Sequence, residues 1–506
     1  RSDQRCTYRL GWRSEFPRHV GAGDLGVTSL QENCLGGYMN DVDVVVIGSG
    51  IAGLAAANSA WEHGLKRVLI AESEGVVGGS SRLSGGIVMG APTRFQQAAG
   101  ISDTADALFN DYMAINQWMV EAGVVRTYCN EAGPAVDWLG DLGVQFHEEL
   151  IFGGGEIVPR CHCAVNNGQG IIDALHAKAR ERDIDIALGQ RVNRLLVENG
   201  RVVGVAVGDD EIRAGAVIVA SGGFSLNKDR LAELYPAAAA MGDWLWYIGA
   251  DGARGDALDF VEPLNAQIIG HNRGLRLLHP NFINAVEPFL PGWMVLVNKH
   301  GQRFGTESAP YGVMDGFMRA QGDVAYVIFD DLVLHPERGP QVATYKQSIP
   351  GRGKERHNAN WNAIMVEDMV KAGRIKSSDT IEGLAKELGL PQDKLAGTIK
   401  RYNAGAHAGV DDYNKEEKFL RPLEYPLFYG AEVRPATLCF TAVGMRIDSQ
   451  ARVLNDIGEV IPGLYGAGEC TGGIIGDRYV GSGNSLSNGA TFGRIAGRSV
   501  AATFHS

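Results

Sequence analysis

Asp43-Val-Val-Val-Ile-Gly48-Ser-Gly50-Ile-Ala-Gly53 decides the fold. Four apolar β-formers run directly into a G-x-G-x-x-G element, and Leu54-Ala-Ala-Ala-Asn-Ser-Ala-Trp-Glu-His63 then reads as a helix. Arg67-Val-Leu-Ile-Ala71 follows as a second buried strand ending on an acid, Glu72, with Ser73 beside it. Strand, glycines, helix, strand and acid in this order make a dinucleotide-binding βαβ unit. Gly48 permits the tight turn, Gly50 lets a pyrophosphate approach the main chain, and Gly53 lets the helix pack closely on the strand. The helix N-terminus, at Ile51 and Ala52, presents unpaired N–H groups and a favourable dipole to the anion. Glu72 accepts from both ribose hydroxyls, which disfavours a 2′-phosphate.

The rest of the composition narrows the class. A chain of 506 residues is long for one domain, and 45% apolar with 21% charged residues is ordinary for a globular protein. A formal charge of −12 argues against nucleic acid and anionic membrane as partners. The seven cysteines are scattered and odd in number, which argues against a disulfide framework. Cys161-His162-Cys163 matches no standard metal-ligand spacing, so no metal site is expected. No run of eighteen apolar residues offers a membrane span, and the expected location is cytoplasmic. Residues 1–38 are mixed and aperiodic, without the apolar centre of a secretory signal, and read as a poorly ordered leader.

Beyond the first βαβ unit, Gly78-Gly79-Ser80-Ser81 and Ser84-Gly85-Gly86 are small-residue clusters against which a cofactor can lie. Residues 104–142 carry helical periodicity through Leu108, Tyr112, Met113, Trp118, Ala135 and Leu139. Strands are expected at Ile184–Leu188 and from Val192 to Val197, then a hairpin over Gly200–Val207. Ala216-Val-Ile-Val-Ala220-Ser221-Gly222-Gly223-Phe224 is a buried strand running into a glycine turn. From about residue 269 to 436 aromatic and Pro-containing loops mark a second domain, with helices near 362–372, 379–388 and 392–405. Residues 39–268 and 437–506 together form the first.

Two C-terminal segments return to the same chemistry. Leu464-Tyr-Gly466-Ala-Gly468-Glu469 presents an acid to a polyol such as a ribityl chain at the end of a strand. Gly481-Ser-Gly483-Asn-Ser485-Leu486 precedes a helix whose N-terminus suits the partial negative charge at the N1–C2=O edge of a reduced flavin. A nicotinamide enzyme has no use for this arrangement, so the expected cofactor is FAD. The implied fold class is α/β, a Rossmann-like FAD-binding domain with an inserted α+β substrate, or catalytic, domain.

The chain from Asp43 to Arg498 resembles the fumarate reductase/succinate dehydrogenase flavoprotein superfamily. The pieces carrying the resemblance are the Gly48–Gly53 element, the GGSS turn, Ala220–Phe224, Gly252-Ala-Arg-Gly-Asp-Ala257, Asn298-Lys-His-Gly-Gln-Arg-Phe304 and Gly466–Glu469. Some relatives bond the flavin to a His after the GG turn. Arg82–Gly90 holds none, which implies noncovalent FAD. Where fumarate reductases carry an Arg-containing loop before N-x-x-G-x-R-F, this chain has Leu290-Pro-Gly-Trp-Met-Val295, although His279-Pro280 resembles the family's His-Pro.

The 3-ketosteroid dehydrogenase branch is a closer likeness. Gly305-Thr-Glu307-Ser308-Ala-Pro310-Tyr311 is similar to its N-E-S-x-P-Y element, and Arg478-Tyr479-Val-Gly-Ser-Gly483 to its C-terminal Tyr and Gly. The resemblance implies that Tyr311 is the base for an α-proton, while Tyr479 and the Gly483 N–H donate to the developing enolate oxygen. A tyrosine titrates ordinarily near 10, so a donor or positive field has to make the Tyr311 phenolate accessible. The branch's assisting tyrosine has no counterpart in Phe146–Gly155, leaving His147, His162 and Tyr247 as candidates. Arg273 and Arg276 are either carboxylate-binding groups or, as favoured here, solvated surface charges. The expected reaction introduces a C=C bond next to a ring ketone, a 3-ketosteroid or a smaller cyclic ketone such as an oxo-cyclohexanecarboxylate, and passes electrons to an acceptor. An enoate reductase of the fumarate or urocanate kind is the alternative.

Overall fold

The computed structural model describes residues 41–287, 289–345, 350 and 359–504; the expected leader lies outside them. Val42–Ile47 is the axis of the main sheet. It pairs in parallel with Val68–Glu72 on one side and Asp210–Val219 on the other. Asp185–Leu188 extends the sheet beyond Val68–Glu72, and Val460–Gly466 extends it beyond Asp210–Val219, both in parallel. Arg452–Leu454 closes the second edge antiparallel. Val44, Val45 and Val46 are all fully buried, because helices or loops cover both faces of such a sheet. The hairpin Val192–Glu198/Arg201–Val207 branches from Asp210–Val219.

The first helix, Ile51–Glu62, packs on the sheet beside the closing helix, Asn484–Phe504. Gly489, Gly493 and Gly497 recur every four residues and therefore share one face of the closing helix. A Cβ at Gly493 would stand 2.3 Å from the Ala52 carbonyl oxygen, and one at Gly497 2.3 Å from that of Ala56. The closeness of these two backbones requires hydrogen at both positions.

A second sheet is organised around the long strand Phe428–Thr441, which pairs antiparallel with Gly274–His279 and Ala325–Asp330. Val295–Val297 continues it beyond Ala325–Asp330, while Lys376–Ser378 and Trp246–Tyr247 also join the long strand. The last residue of that strand, Thr441, gives its N–H and hydroxyl to Glu469 at 2.9 and 3.2 Å. The second sheet is thereby tied to the C-terminal end of the first.

The periodic stretch 104–142 is two helices, Ala105–Ile115 and Ala122–Asp141. Between them Gln117 and Trp118 take positive φ, 51° and 60°, and Trp118 is exposed. The chain breaks there because Asn116 turns inward and its Oδ1 accepts from the Arg478 N–H at 3.2 Å, a long-range demand that periodicity does not carry.

Candidate active site

The C-terminal ends of Val42–Ile47, Val68–Glu72 and Asp210–Val219 open onto a cavity of about 340 Å³, the position at which doubly wound sheets bind ligands. Gly48 turns at φ 100° and the first helix starts immediately beyond it. A Cβ on Gly53 would stand 1.9 Å from the Gly48 carbonyl oxygen, so this residue shapes the turn from behind the cavity wall. Gly78 likewise lies behind the wall, its N–H donating to Ser49 Oγ at 3.0 Å. Every other expected cofactor residue, from Gly48 and Gly50 through Glu72 to Ser485 and Leu486, lines the cavity, as do Tyr311, Tyr479 and Gly483.

Glu72 is 5% exposed and holds the turn from below. Its Oε2 accepts from the Ser49 N–H at 2.8 Å and the Ser49 hydroxyl at 2.5 Å, and its Oε1 accepts from the Glu74 N–H at 2.8 Å. At the far end burial pushes the Glu469 carboxyl up to about 7, against the two hydrogen bonds from Thr441 that stabilise its ionised form. Residues absent from the sequence expectation also line the cavity, among them Arg191, Thr441, Ser482 and Asn488. Asn488 lies one turn beyond Ser485 in the closing helix, the one signal that could have found it. These surroundings fit FAD. Ser221 Oγ and Asn488 Oδ1 are buried lining atoms with no partner among the described residues, as a polar ligand requires.

The two tyrosines converge from separate elements. Tyr311 starts the helix Tyr311–Ala320 directly after Pro310. The turn before it is pinned by Glu307, which is buried against Arg303 (2.8 Å) and Lys415 (3.0 Å) and accepts from the Leu296 N–H at 2.9 Å. Burial raises the Glu307 carboxyl, but Lys415 and Arg303 outweigh it and hold the group below the usual range. Tyr479 sits in the loop before the closing helix. Tyr112 braces that loop by donating to the Ile474 carbonyl at 3.0 Å and accepting from Asn484 Nδ2 at 3.0 Å.

Tyr479 Oη accepts from the Ser485 N–H at 2.9 Å and donates to Ser485 Oγ at 3.2 Å. Burial pushes this phenol up to about 12, with the Ser485 bonds pulling the other way. Gly483, at φ 85°, spends its carbonyl on the N–H groups of Ser487 (2.9 Å) and Met89 (3.3 Å). Tyr311 Oη is 2.9 Å from Ser482 Oγ. Ser482 is in turn fixed by the Gly153 carbonyl, which accepts its N–H at 2.8 Å, and by Cys161 Sγ, which donates to its carbonyl at 2.9 Å.

Ser482, rather than His147, His162 or Tyr247, is therefore the side chain that hydrogen-bonds the Tyr311 hydroxyl. His162 is buried with Thr93 Oγ1 at 2.9 Å and the Val88 carbonyl at 3.2 Å on its two nitrogens, and burial pulls it down to about 4. Tyr247 bonds Ser80 Oγ at 3.0 Å, and neither it nor His147 lines the cavity. The flanking Cys161 and Cys163 lie with His162 in a short buried strand paired to Ile87–Met89. Of the two expected means of easing Tyr311 ionisation, the hydrogen-bonding neighbour is present, but no cationic side chain lies beside Tyr311 among the described lining residues. Burial raises this phenol well above 10, the proximity of Tyr479 adds to the shift, and Ser482 opposes it.

The reading of Arg276 as a surface charge is overturned. It is 1% exposed and bonded to Asp315 (2.7 Å), Asp323 (3.1 Å) and the Ala237 carbonyl (2.6 Å), since a buried cation needs such partners. Arg273 pairs with Asp477 at 3.0 Å. His279 is buried with Nε2 at 3.2 Å from the Ile283 carbonyl. None of the three lines the cavity. Around the tyrosines the wall is apolar instead, formed by Leu275, Leu277, Val286, Phe289, Phe440 and Ile475.

Comparison with known proteins supports FAD as the cofactor. The FAD binding domain family matches residues 43–486. A fumarate reductase (cytochrome) of Shewanella frigidimarina is 32% identical over 91% of this chain and 77% of its own length. A urocanate reductase of Eggerthella lenta is 28% identical over 92% of this chain and 75% of its own. Among solved structures, the 3-ketosteroid-Δ4-(5α)-dehydrogenase of Rhodococcus jostii RHA1, in complex with 4-androstene-3,17-dione, superposes with a TM-score of 0.74. It is 26% identical, over 92% of this chain and 98% of that one.

Proposed function

This chain belongs to the FAD binding domain family, within the fumarate reductase/succinate dehydrogenase flavoprotein superfamily, and from that premise we propose that it introduces a C=C bond α,β to a ring ketone. A 3-ketosteroid, dehydrogenated at its 1- or 4-position, or a smaller cyclic ketone is the substrate. The observation that carries the reading is the meeting of Tyr311 and Tyr479 in one cavity whose wall around them is apolar. Such a surface suits a neutral polycycle with a single carbonyl, and beside the tyrosines it gives a dicarboxylate no ion-pair partner among the described lining residues.

FAD, held noncovalently by the Gly48–Gly53 turn, Glu72, Glu469 and the start of the closing helix, would supply the hydride acceptor. The protein's own work concerns the proton and the carbonyl. Tyr479 turns its O–H from Ser485 Oγ to the substrate oxygen while still accepting from the Ser485 N–H, a bond that strengthens its donation. The Gly483 N–H donates to the same oxygen. Two preorganised donors stabilise the developing enolate by about 2.7–4 kcal/mol each. Tyr311 takes the α-proton, with Ser482 Oγ orienting its oxygen. The free thiols Cys129, Cys161, Cys439 and Cys470 support a cytoplasmic setting.

Anaerobic mixing of the yellow protein with a panel of 3-ketosteroids and cyclohexanone derivatives tests the proposal. Bleaching of the flavin by at least one is expected; an unchanged spectrum with every cyclic ketone would remove the reading.

A second reading, an enoate reductase, is favoured by one observation. Burial keeps the proton on Tyr311, which sets this residue to give a proton rather than to take one. The fumarate and urocanate reductases among the relatives run in that direction. Reoxidation of the dithionite-reduced protein by an α,β-unsaturated acid, together with no bleaching by ketones, would select it.

A further inference from the structure

Behind Tyr311 a smaller chamber of about 40 Å³ shares Tyr311, Leu277 and Phe289 with the main cavity. Its wall is mostly apolar, with Leu290, Met314, Trp361 and Phe419 contributing. Two carboxylates reach it, and they differ in kind. Glu307 is neutralised by Arg303 and Lys415 and belongs to the turn that positions Tyr311.

Glu287 has no such cation among the described residues. It is 9% exposed, its Oε2 accepts from the Asn360 N–H at 3.2 Å, and its Oε1 has no partner among the described residues. Asn360, 1% exposed, likewise leaves its Oδ1 without one. A buried acceptor oxygen such as Glu287 Oε1, at the wall of a mostly apolar chamber, is costly unless a donor arrives. Burial pushes Glu287 up to about 7, and the polar groups of Asn360, Ala359 and Tyr345 around it pull the other way.

We propose that Glu287 is a specificity residue that binds a hydroxyl group at the end of the substrate remote from its ketone. The inference rests on the ring-ketone reading. A rigid polycycle with its carbonyl at Tyr479 and its reacting carbons beside Tyr311 passes Phe289 and Leu277 into the chamber, where only a donor satisfies the carboxylate. A hydroxyl meets that need. A hydrogen at the same position leaves the acceptor buried and unmet, and the penalty for an unmet buried acceptor is how sites built around polar groups reject analogues.

The test uses the flavin-loaded protein and two 3-ketosteroids that differ only in carrying a hydroxyl or a hydrogen on the terminal ring. Wild type is expected to favour the hydroxylated compound by about tenfold or more in kcat/KM. In Glu287→Leu the ratio is expected to fall to about one. Glu287→Gln keeps shape and one acceptor, and should lower the ratio at least about threefold; it carries the test should the leucine variant fail to fold. No preference in wild type, or an undiminished preference in the variants, overturns the proposal. If neither ketone bleaches the flavin, the ring-ketone reading has failed. The perturbation of flavin absorbance by the same two compounds then decides the Glu287 site: a hydroxyl preference lost in Glu287→Gln supports it, and equal binding of both compounds overturns it.

Discussion

The rings of Tyr311 and Tyr479 lie 6.0 Å apart, centroid to centroid, with their planes inclined at 38°. One begins a helix behind a salt-bridged turn, and the other stands in a glycine-rich loop braced by Tyr112 and Asn116. Each phenol contacts a serine of the Gly481–Ser485 segment, Ser482 for Tyr311 and Ser485 for Tyr479. A substrate carbon and its carbonyl oxygen can therefore be addressed together by two groups held at fixed separation, the condition for concerted acid–base work.

Tyr479→Phe is expected to retain the yellow cofactor and lower kcat by about 10²–10³, the cost of losing one oxyanion donor. The Ser485 N–H also loses its acceptor, so stability should fall by about 1 kcal/mol in urea titration. A kcat within about threefold of wild type would reduce Tyr479 to a packing ring.

The pH dependence follows from the direction of the Tyr311 shift. A raised phenol pKa means that the base form is scarce and grows with pH. Dehydrogenation kcat/KM should rise by up to about tenfold per pH unit, without a plateau below about pH 10. Initial rates over pH 6–10 check this. A plateau near neutrality would show another group to be the base.

Ser482→Ala removes the bond that opposes this elevation. The expected result is a rate reduced by about tenfold at pH 8 and a profile displaced toward higher pH, with KM little altered. A change in KM alone would make Ser482 a substrate contact and not an orienting group.

Two glycines in the first cofactor segment should differ sharply. Gly53→Ala puts a methyl 1.9 Å from the Gly48 carbonyl oxygen and should abolish flavin binding or folding. Gly75→Ala has nothing within 4 Å and should leave the melting temperature and flavin content near wild type. Flavin absorbance and thermal melts of both variants decide the point.

Glu469 carries a sign that can be measured in the apoprotein. Its folded carboxyl stands at about 7 against an ordinary 4.5, so the folded state holds the extra proton between these values. That contribution is complete below pH 4.5 and disappears as pH rises to 7. Glu469→Gln should flatten the fall in melting temperature across that window; an unchanged slope would contradict the assignment.

The cofactor half of the molecule was legible because backbone constraints were written locally. Gly48 and Gly53 stand where a turn and a helix contact permit little else, while Glu72 ends and Glu469 follows a strand whose apolar run announces burial. The tyrosines could be named by likeness, and the cavity brings them together. What remained hidden depends on distant partners. No periodicity ties Asn116 to Arg478, or Arg276 to Asp315 and Asp323, and a serine between two glycines gives no hint that it meets Tyr311. The first contact breaks an apparently continuous helix, and the second takes an apparent surface arginine into the interior.

The glycine-lined seam between the opening and closing helices has a bearing on biosynthesis. The first strand and the glycine turn after it are among the earliest described residues to leave the ribosome, yet the helix that packs beside them and lines the same cavity is among the last. Cofactor capture must therefore wait until the closing helix has been translated. Until then the flank of the first helix that the closing helix covers stays without its partner.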